Sequence, residues 1–211
     1  MVHEDGGLAL FVAASLVVAA TPGPGIFYVA ARTLAGGRGE GIASSFGTGL
    51  GGMVHVAAGA LGVSALVMAS AQAFTALKLA GAAYLVWLGV KTVREARRAP
   101  PLDGAAAAGA AKAFREGVVV EALNPKTAAF FLAFIPQFVD PSEGRVALQF
   151  AALGLASVAL NTLVDVAVAC AASRARDGLA RRPVLVRRTR EASGAVLCGL
   201  GASLAFARRA G

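Results

Sequence analysis

Along the 211-residue chain, polar positions do not alternate with apolar ones; they gather in clusters and leave long apolar runs between them. Six runs stand out: 8–31, 41–69, 74–90, 117–139, 146–173 and 192–207. A run of about 18 or more apolar residues can cross a hydrocarbon core about 30 Å thick as a helix. The pattern therefore predicts an all-α integral membrane protein with about six transmembrane helices in a single domain, residues 1–211. A five-span version, with one run not crossing, stays open. Two runs are interrupted, the first at Thr21-Pro22-Gly23-Pro24 and the fourth at Asn124-Pro125. Proline breaks a helix because it has no N–H and its ring clashes with the preceding turn.

The stretch 91–116, rich in Ala, Gly and Pro, reads as a linker and divides the chain into halves 1–90 and 117–211. Three spans per half is an odd number, so the halves enter the membrane from opposite sides, as in an inverted repeat. The broken spans open each half. Paired interruptions at matching positions are the best sequence pointer to a transporter binding site. Thr and Asn are good N-caps and Pro suits the first helical position, so Thr21-Pro22 and Asn124-Pro125 each read as a fresh helix start inside a span. Such a start exposes N–H groups and a partial positive charge, which lipid does not tolerate unless they are satisfied or face a polar cavity. An anion such as a carboxylate fits there. Thr21, Asn124 and Lys126 all lie roughly 12–15 Å in from the same side. A plain kink is the competing reading.

Composition sharpens the class. Hydrophobic residues make up 57% of the chain and charged ones only 15%, more apolar surface than a soluble domain can hide. The net charge of +8 does not indicate nucleic acid, because it follows the loops. Loop 91–116 carries Lys91, Arg94, Arg97, Arg98, Lys112 and Arg115, loop 174–191 carries seven arginines, and loop 32–40 has Arg32 and Arg38. Loops 70–73 and 140–145 are poor in positive charge. The basic loops are therefore expected in the cytoplasm, with the N-terminus outside a cytoplasmic (inner) membrane; Arg208 and Arg209 weakly oppose this. The start of the chain holds Glu4 and Asp5 and no Lys or Arg, unlike a signal peptide. Cys170 and Cys198 read as small buried residues rather than a disulfide framework.

Few polar residues lie within the runs. Asp165 is the clearest candidate, since a charge at mid-membrane costs about 2.5–3.5 kcal/mol and commonly marks a substrate or ion pathway. Ser157, Asn161 and Asp165 form one stripe at four-residue steps, expected to face the bundle interior. Lys126 would neutralise Asp165, hold a substrate carboxylate, or snorkel. Glu121, only about 7 Å in, reads as interfacial. His55 is either a proton relay or a satisfied core histidine, and Gly47 and Gly51 form a GxxxG that favours close helix contact. No metal-ligand cluster, nucleophilic triad or phosphate-binding loop is visible, so no enzyme activity, metal, cofactor or ATP use is expected.

The segments "ATPGPGIFYVAARTLAGGRGEGIASSFGTGLGGMVHV", "LKLAGAAYLVWLGVKTVR", "LNPKTAAFFLAFIPQFV" and "SGAVLCGLGASLAF" resemble the LysE/RhtB family of amino-acid exporters over nearly the whole chain. The resemblance implies inner-membrane efflux of amino acids or close relatives, driven by an ion gradient. The family's break motifs fall on Thr21, Pro22, Gly23 and Pro24, and on Asn124, Pro125 and Lys126, and its fifth-span acid on Asp165. One departure is Gly52, where family members often carry an acid in a G-D-x-x-H region. If that acid serves coupling or amine binding, this chain must use Asp165 or His55 or differ in mechanism.

Together these readings lead to a secondary transporter for a zwitterionic amino acid. Its carboxylate would meet the two helix starts and Lys126, and its ammonium Asp165 and Asn161, with Asp165 or His55 coupling to a proton or another ion. The expected partners are the amino acid, the coupling ion and the lipid bilayer, with self-association left open by the Gly-rich faces. The alternatives are a membrane scaffold without transport and an inorganic-cation efflux protein using Asp165 and Glu121.

Overall fold

A computed structural model describes residues 2–63, 71–96, 107–174 and 183–206. Seven α-helices account for almost all of them: α1 Val2–Ala20, α2 Pro24–Ala58, α3 Ala71–Glu95, α4 Ala110–Ala122, α5 Pro125–Ala129, α6 Val146–Arg174 and α7 Pro183–Phe206. There is no strand among the described residues. A π turn, Gly59–Val63, extends α2; a π turn, Phe130–Phe134, and a 3-10 turn, Ile135–Phe138, extend α5. The all-helical expectation holds. The six-span count is not reached among the described residues. Helix α6 alone is long and apolar enough to cross a bilayer, and two bent pairs reach the same standard when each is taken as one span.

Those bent pairs are the two interrupted segments. Gly7–Ala20 and Pro24–Gly62 meet at 49°, and Ala110–Ala122 and Pro125–Phe138 meet at 42°. Three expected boundaries move. Loop 32–40 is not a loop: α2 runs through it and only bends at Gly37, where φ is +82° and ψ −173°, a conformation essentially reserved for glycine that costs other residues about 1–3 kcal/mol. The end of the linker belongs to α4, which begins at Ala110, and α7 begins at Pro183 rather than 192. The middle of the linker, the centre of the second basic loop, residues 64–70 and Arg208 and Arg209 lie outside the described residues.

Helix α2 sits between α4 and α6, while α3 and α7 pack on each other. The contact of α2 with α4 follows from small residues. A Cβ added at Gly47 would press into the Phe114 carbonyl oxygen, and one at Gly51 into that of Val118. The GxxxG read from the sequence thus lets two backbones touch. Phe11, Val18, Val56, Phe130, Phe131, Ile135 and Phe150 form the main core, and Ala129 and Ala133 join α5 and its π turn to Ala82 and Leu85 of α3 and Leu197 of α7. Large apolar side chains remain on the outside, among them Leu8, Leu10, Phe46, Trp87, Leu148 and Leu163. An outer surface of this kind suits lipid rather than water.

Candidate functional site

The new helix at the first break starts two residues later than its sequence suggests. Helix α1 ends at Ala20, and Thr21 closes it: its N–H reaches the carbonyls of Val17 and Val18, and its hydroxyl donates to Val17 O at 2.6 Å. The hydroxyl therefore caps the end of α1 and not the start of α2. The new helix begins at Pro24, with Gly23 as an N-cap that has no side chain to offer. The physical reason is local. A threonine hydroxyl readily folds back onto the carbonyl four residues before it, and the second proline takes the first helical position.

The second break is built as its sequence indicates. Asn124 is the N-cap, its Oδ1 accepting the Lys126 N–H at 3.0 Å, and Pro125 opens α5. The side chain of Lys126 then crosses to the first break. Its Nζ donates to the carbonyl oxygens of Val18 at 3.0 Å and Thr21 at 2.9 Å; the Val18 oxygen also takes the Thr21 N–H at 3.2 Å, so the lysine is a second donor to it at the end of α1. A cation belongs at a helix C-terminus. Lys126 does not pair with Asp165: no ion pair joins the two among the described residues. The breaks touch elsewhere too. A Cβ on Gly23 would meet the Lys126 chain at 3.2 Å, and one on Gly25 would stand 2.6 Å from Glu121 Oε2.

Glu121 is buried within the bundle. It is 3% exposed, with Asn124 Nδ2 donating to Oε2 at 2.8 Å and the Thr127 hydroxyl to Oε1 at 2.6 Å. Its backbone carbonyl lies 2.9 Å from His55 Nε2. A carbonyl only accepts, so that nitrogen carries the proton and donates. His55 also lies against the Phe131 ring. The contacts show a histidine with a satisfied Nε2.

Asp165 is fully buried, as the stripe on α6 requires. The Thr48 hydroxyl donates to its Oδ2 at 2.7 Å, Asn161 Nδ2 approaches the same oxygen at 3.4 Å, and Oδ1 has no partner. Thr48 comes from α2, so this carboxyl joins the two halves of the chain.

Two spaces adjoin these groups. A cleft of about 380 Å³ is lined by Pro22, Gly23, Pro24, Pro125 and Lys126 from the breaks, closed on the other side by Leu88, Lys91, Glu95 and Leu197. A second cavity, about 20 Å³, lies between α1, α2, α4, α5 and α6 with Ser15, Thr48, Gly52, Glu121, Thr127, Ser157 and Asn161 in its wall. That is room for about one water-sized group. Val18 and Phe130 line this cavity and also a smaller gap beside Lys126. Of the expected site residues, the cleft thus gathers Pro22, Gly23, Pro24, Pro125 and Lys126. Asn161 lines the cavity, with Asp165 behind it. Thr21 and Asn124 brace the breaks from within. Among the described residues no three of His, Cys, Asp and Glu gather as a metal-ligand set.

The family model of the LysE type translocator matches residues 16–208. This chain belongs to that family. Among its relatives, an uncharacterized membrane protein of Vibrio cholerae is 31% identical over 94% of this chain and 96% of its own length. A homoserine/homoserine lactone efflux protein of Salmonella typhimurium is 30% identical over 95% and 96%. A leucine efflux protein of Klebsiella pneumoniae is 26% identical over 69% of each chain. No solved structure matches the chain.

Within this LysE-type translocator, sequence reasoning undervalued Glu121 and passed over Ser15 and Thr127. Glu121 carried a usable signal: a carboxylate three residues before an N-cap Asn reaches that cap by one turn of helix. Ser15 carried none beyond being polar in an apolar run. Gly52, where the family resemblance leads one to expect an acid, lines the cavity that holds Glu121.

Proposed function

We propose that this chain is a secondary transporter that exports an amino acid or a close derivative across the cytoplasmic membrane, driven by the proton gradient. The observation that carries this reading is the meeting of two proline breaks, about 100 residues apart in sequence, around a cleft with a buried lysine. Irregular backbone at membrane depth is tolerated where it is buried in protein or lines a polar cavity, and such paired breaks hold substrates in transporters. The substrate carboxylate meets Lys126, which has three N–H donors and spends two on the end of α1, together with the backbone N–H of Gly23. Thr21, Pro22, Asn124 and Pro125 hold that backbone open. The ammonium turns toward the stripe of α6, where Asn161 faces the cavity and Asp165 adds negative charge behind it. Asp165, fully buried with one oxygen unpartnered, carries the coupling proton. His55 shapes the site through Glu121, with Nδ1 as its available relay atom. The basic loops lie in the cytoplasm. Each charge moved through 100 mV is worth about 2.3 kcal/mol, enough to raise a gradient roughly fiftyfold.

Counterflow in proteoliposomes tests this, with homoserine and leucine first because relatives are named for their efflux. Exchange of a labelled amino acid is expected. Asp165→Asn should keep exchange yet lose accumulation driven by a pH difference. Undiminished pH-driven accumulation in that variant removes Asp165 from the mechanism, and absence of exchange over all amino acids removes the transport reading.

A further inference from the structure

We propose that the small cavity beside Glu121 is the ammonium subsite, and that Glu121 is its anionic partner; the assignment rests on the transport reading above. Glu121 is buried in an apolar bundle, and no cation forms an ion pair with it among the described residues. A buried carboxylate is ordinarily paired or neutralised, because desolvation of a lone charge costs several kcal/mol or more. Its two protein donors, Asn124 and Thr127, occupy about half of the lone-pair positions of a carboxylate.

The rest of the wall offers oxygens. The Thr127 proton is spent on Glu121, and the Thr48 proton is shared between Asp165 and the Ser45 carbonyl. Asn161 directs its NH2 at Asp165. The independent sign of a missing ligand is Ser15: 2% exposed, in the wall of this cavity, and its Oγ has no hydrogen-bond partner. Such orphans are rare and call for a partner. The space holds about one water-sized group, the size of a primary ammonium and too small for a whole amino acid. Val18 stands between this cavity and Lys126. Both charged groups touch the first break, Lys126 at Gly23 and Glu121 at Gly25. A zwitterion therefore meets opposite charges two residues apart at the start of α2, and Asp165 behind Thr48 is left free for the proton.

The test is calorimetric binding to the purified full-length chain in nanodiscs. The probes are L-homoserine, L-leucine, their deaminated analogues 4-hydroxybutyrate and 4-methylpentanoate, and NaCl against choline chloride. Glu121→Gln should weaken the amino-bearing probes about thirtyfold or more and leave the deaminated ones at wild-type affinity. Ser15→Ala should weaken the amino-bearing probes by a smaller factor, and the bulkier Ser15→Val should abolish their binding; these two variants decide the matter if Glu121→Gln does not fold. Equal loss for aminated and deaminated probes, or unchanged affinity in folded Glu121→Gln, overturns the assignment. Sodium binding in wild type that disappears in Glu121→Gln, without amino-acid dependence, also overturns it in favour of a coupling-ion site. Wild type that binds no amino acid at all defeats the transport reading itself, a result distinct from the others.

Discussion

Asp165 and Lys126 show how differently two charged residues settle in the same apolar bundle. Lys126 finds its partners in two carbonyls at the C-terminal end of α1, those of Val18 and Thr21; it serves as a clasp between halves as well as a positive charge at the cleft. Asp165 finds a hydroxyl, Thr48, and leaves one oxygen without a partner. Removing that hydroxyl should be felt. Thr48→Val is expected to lose about 1–3 kcal/mol of stability, the cost of leaving a buried acceptor unsatisfied, read as a lower melting midpoint in detergent. Thr48→Ser, which keeps the donor, should restore most of it. Asp165 was legible in the sequence because a lone acid in an apolar run stands out. Glu121 was not, because its burial and its contacts with Asn124 and Thr127 arise from the packed helices, which counting residues from the end of a run does not show.

At the scale of elements, two features set the geometry: the breaks, and the glycine seam between α2 and α4. Helix α2 can approach α4 only where Gly47 and Gly51 lack a Cβ, since each would press on a backbone oxygen. Gly47→Ala is expected to destabilise by about 1–3 kcal/mol, the usual cost of overpacking, while Gly39→Ala, with open space around it, should be near neutral. Parallel thermal melts of the two variants check this. The far end of the same pair is fastened by charge: Glu40 of α2 accepts the N–H groups of Ala108 and Gly109 at 2.8 and 2.6 Å, just ahead of α4, and sits beside Arg32. A carboxylate at a helix N-terminus is favoured by the helix dipole. The position of both proline breaks could be read from the sequence to within a turn. The first was displaced because Thr21 had two open choices, capping forward or closing backward, and only the adjacent carbonyl of Val17 decided between them.

For the whole molecule, the two spaces differ in access. The cleft at the breaks is about 380 Å³, whereas the cavity at Glu121 holds about 20 Å³ and its Ser15 and Glu121 are only 2% and 3% exposed. A substrate that reaches Glu121 must therefore pass through a second arrangement of the helices, and the bends of 49° and 42° are where the chain can give. With Cys170 and Cys198 replaced by Ala, Leu88→Cys in the cleft wall should react readily with a membrane-impermeant maleimide. Ser15→Cys should react about tenfold or more slowly, because its reactive state is a minor population, and saturating substrate should change that rate. Equal rates for the two positions would mean that the resting protein is not closed around Ser15.

Features set by residues close together in the chain could be read from the amino acids alone: apolar runs that demand burial, prolines that stop a helix whatever surrounds them, an Asn-Pro start at 124, and a small-residue stripe that permits close packing. These depend on covalent geometry and periodicity, which need no knowledge of neighbours. The pairings across the molecule belong to the folded state: Lys126 on Val18 and Thr21, Asp165 on Thr48, His55 on the carbonyl of Glu121. Those contacts join residues from 66 to 117 positions apart. In an interior where each polar group must find a partner, the partner is whichever group the packing brings within reach, and that distance is set by the helices together rather than by either one alone.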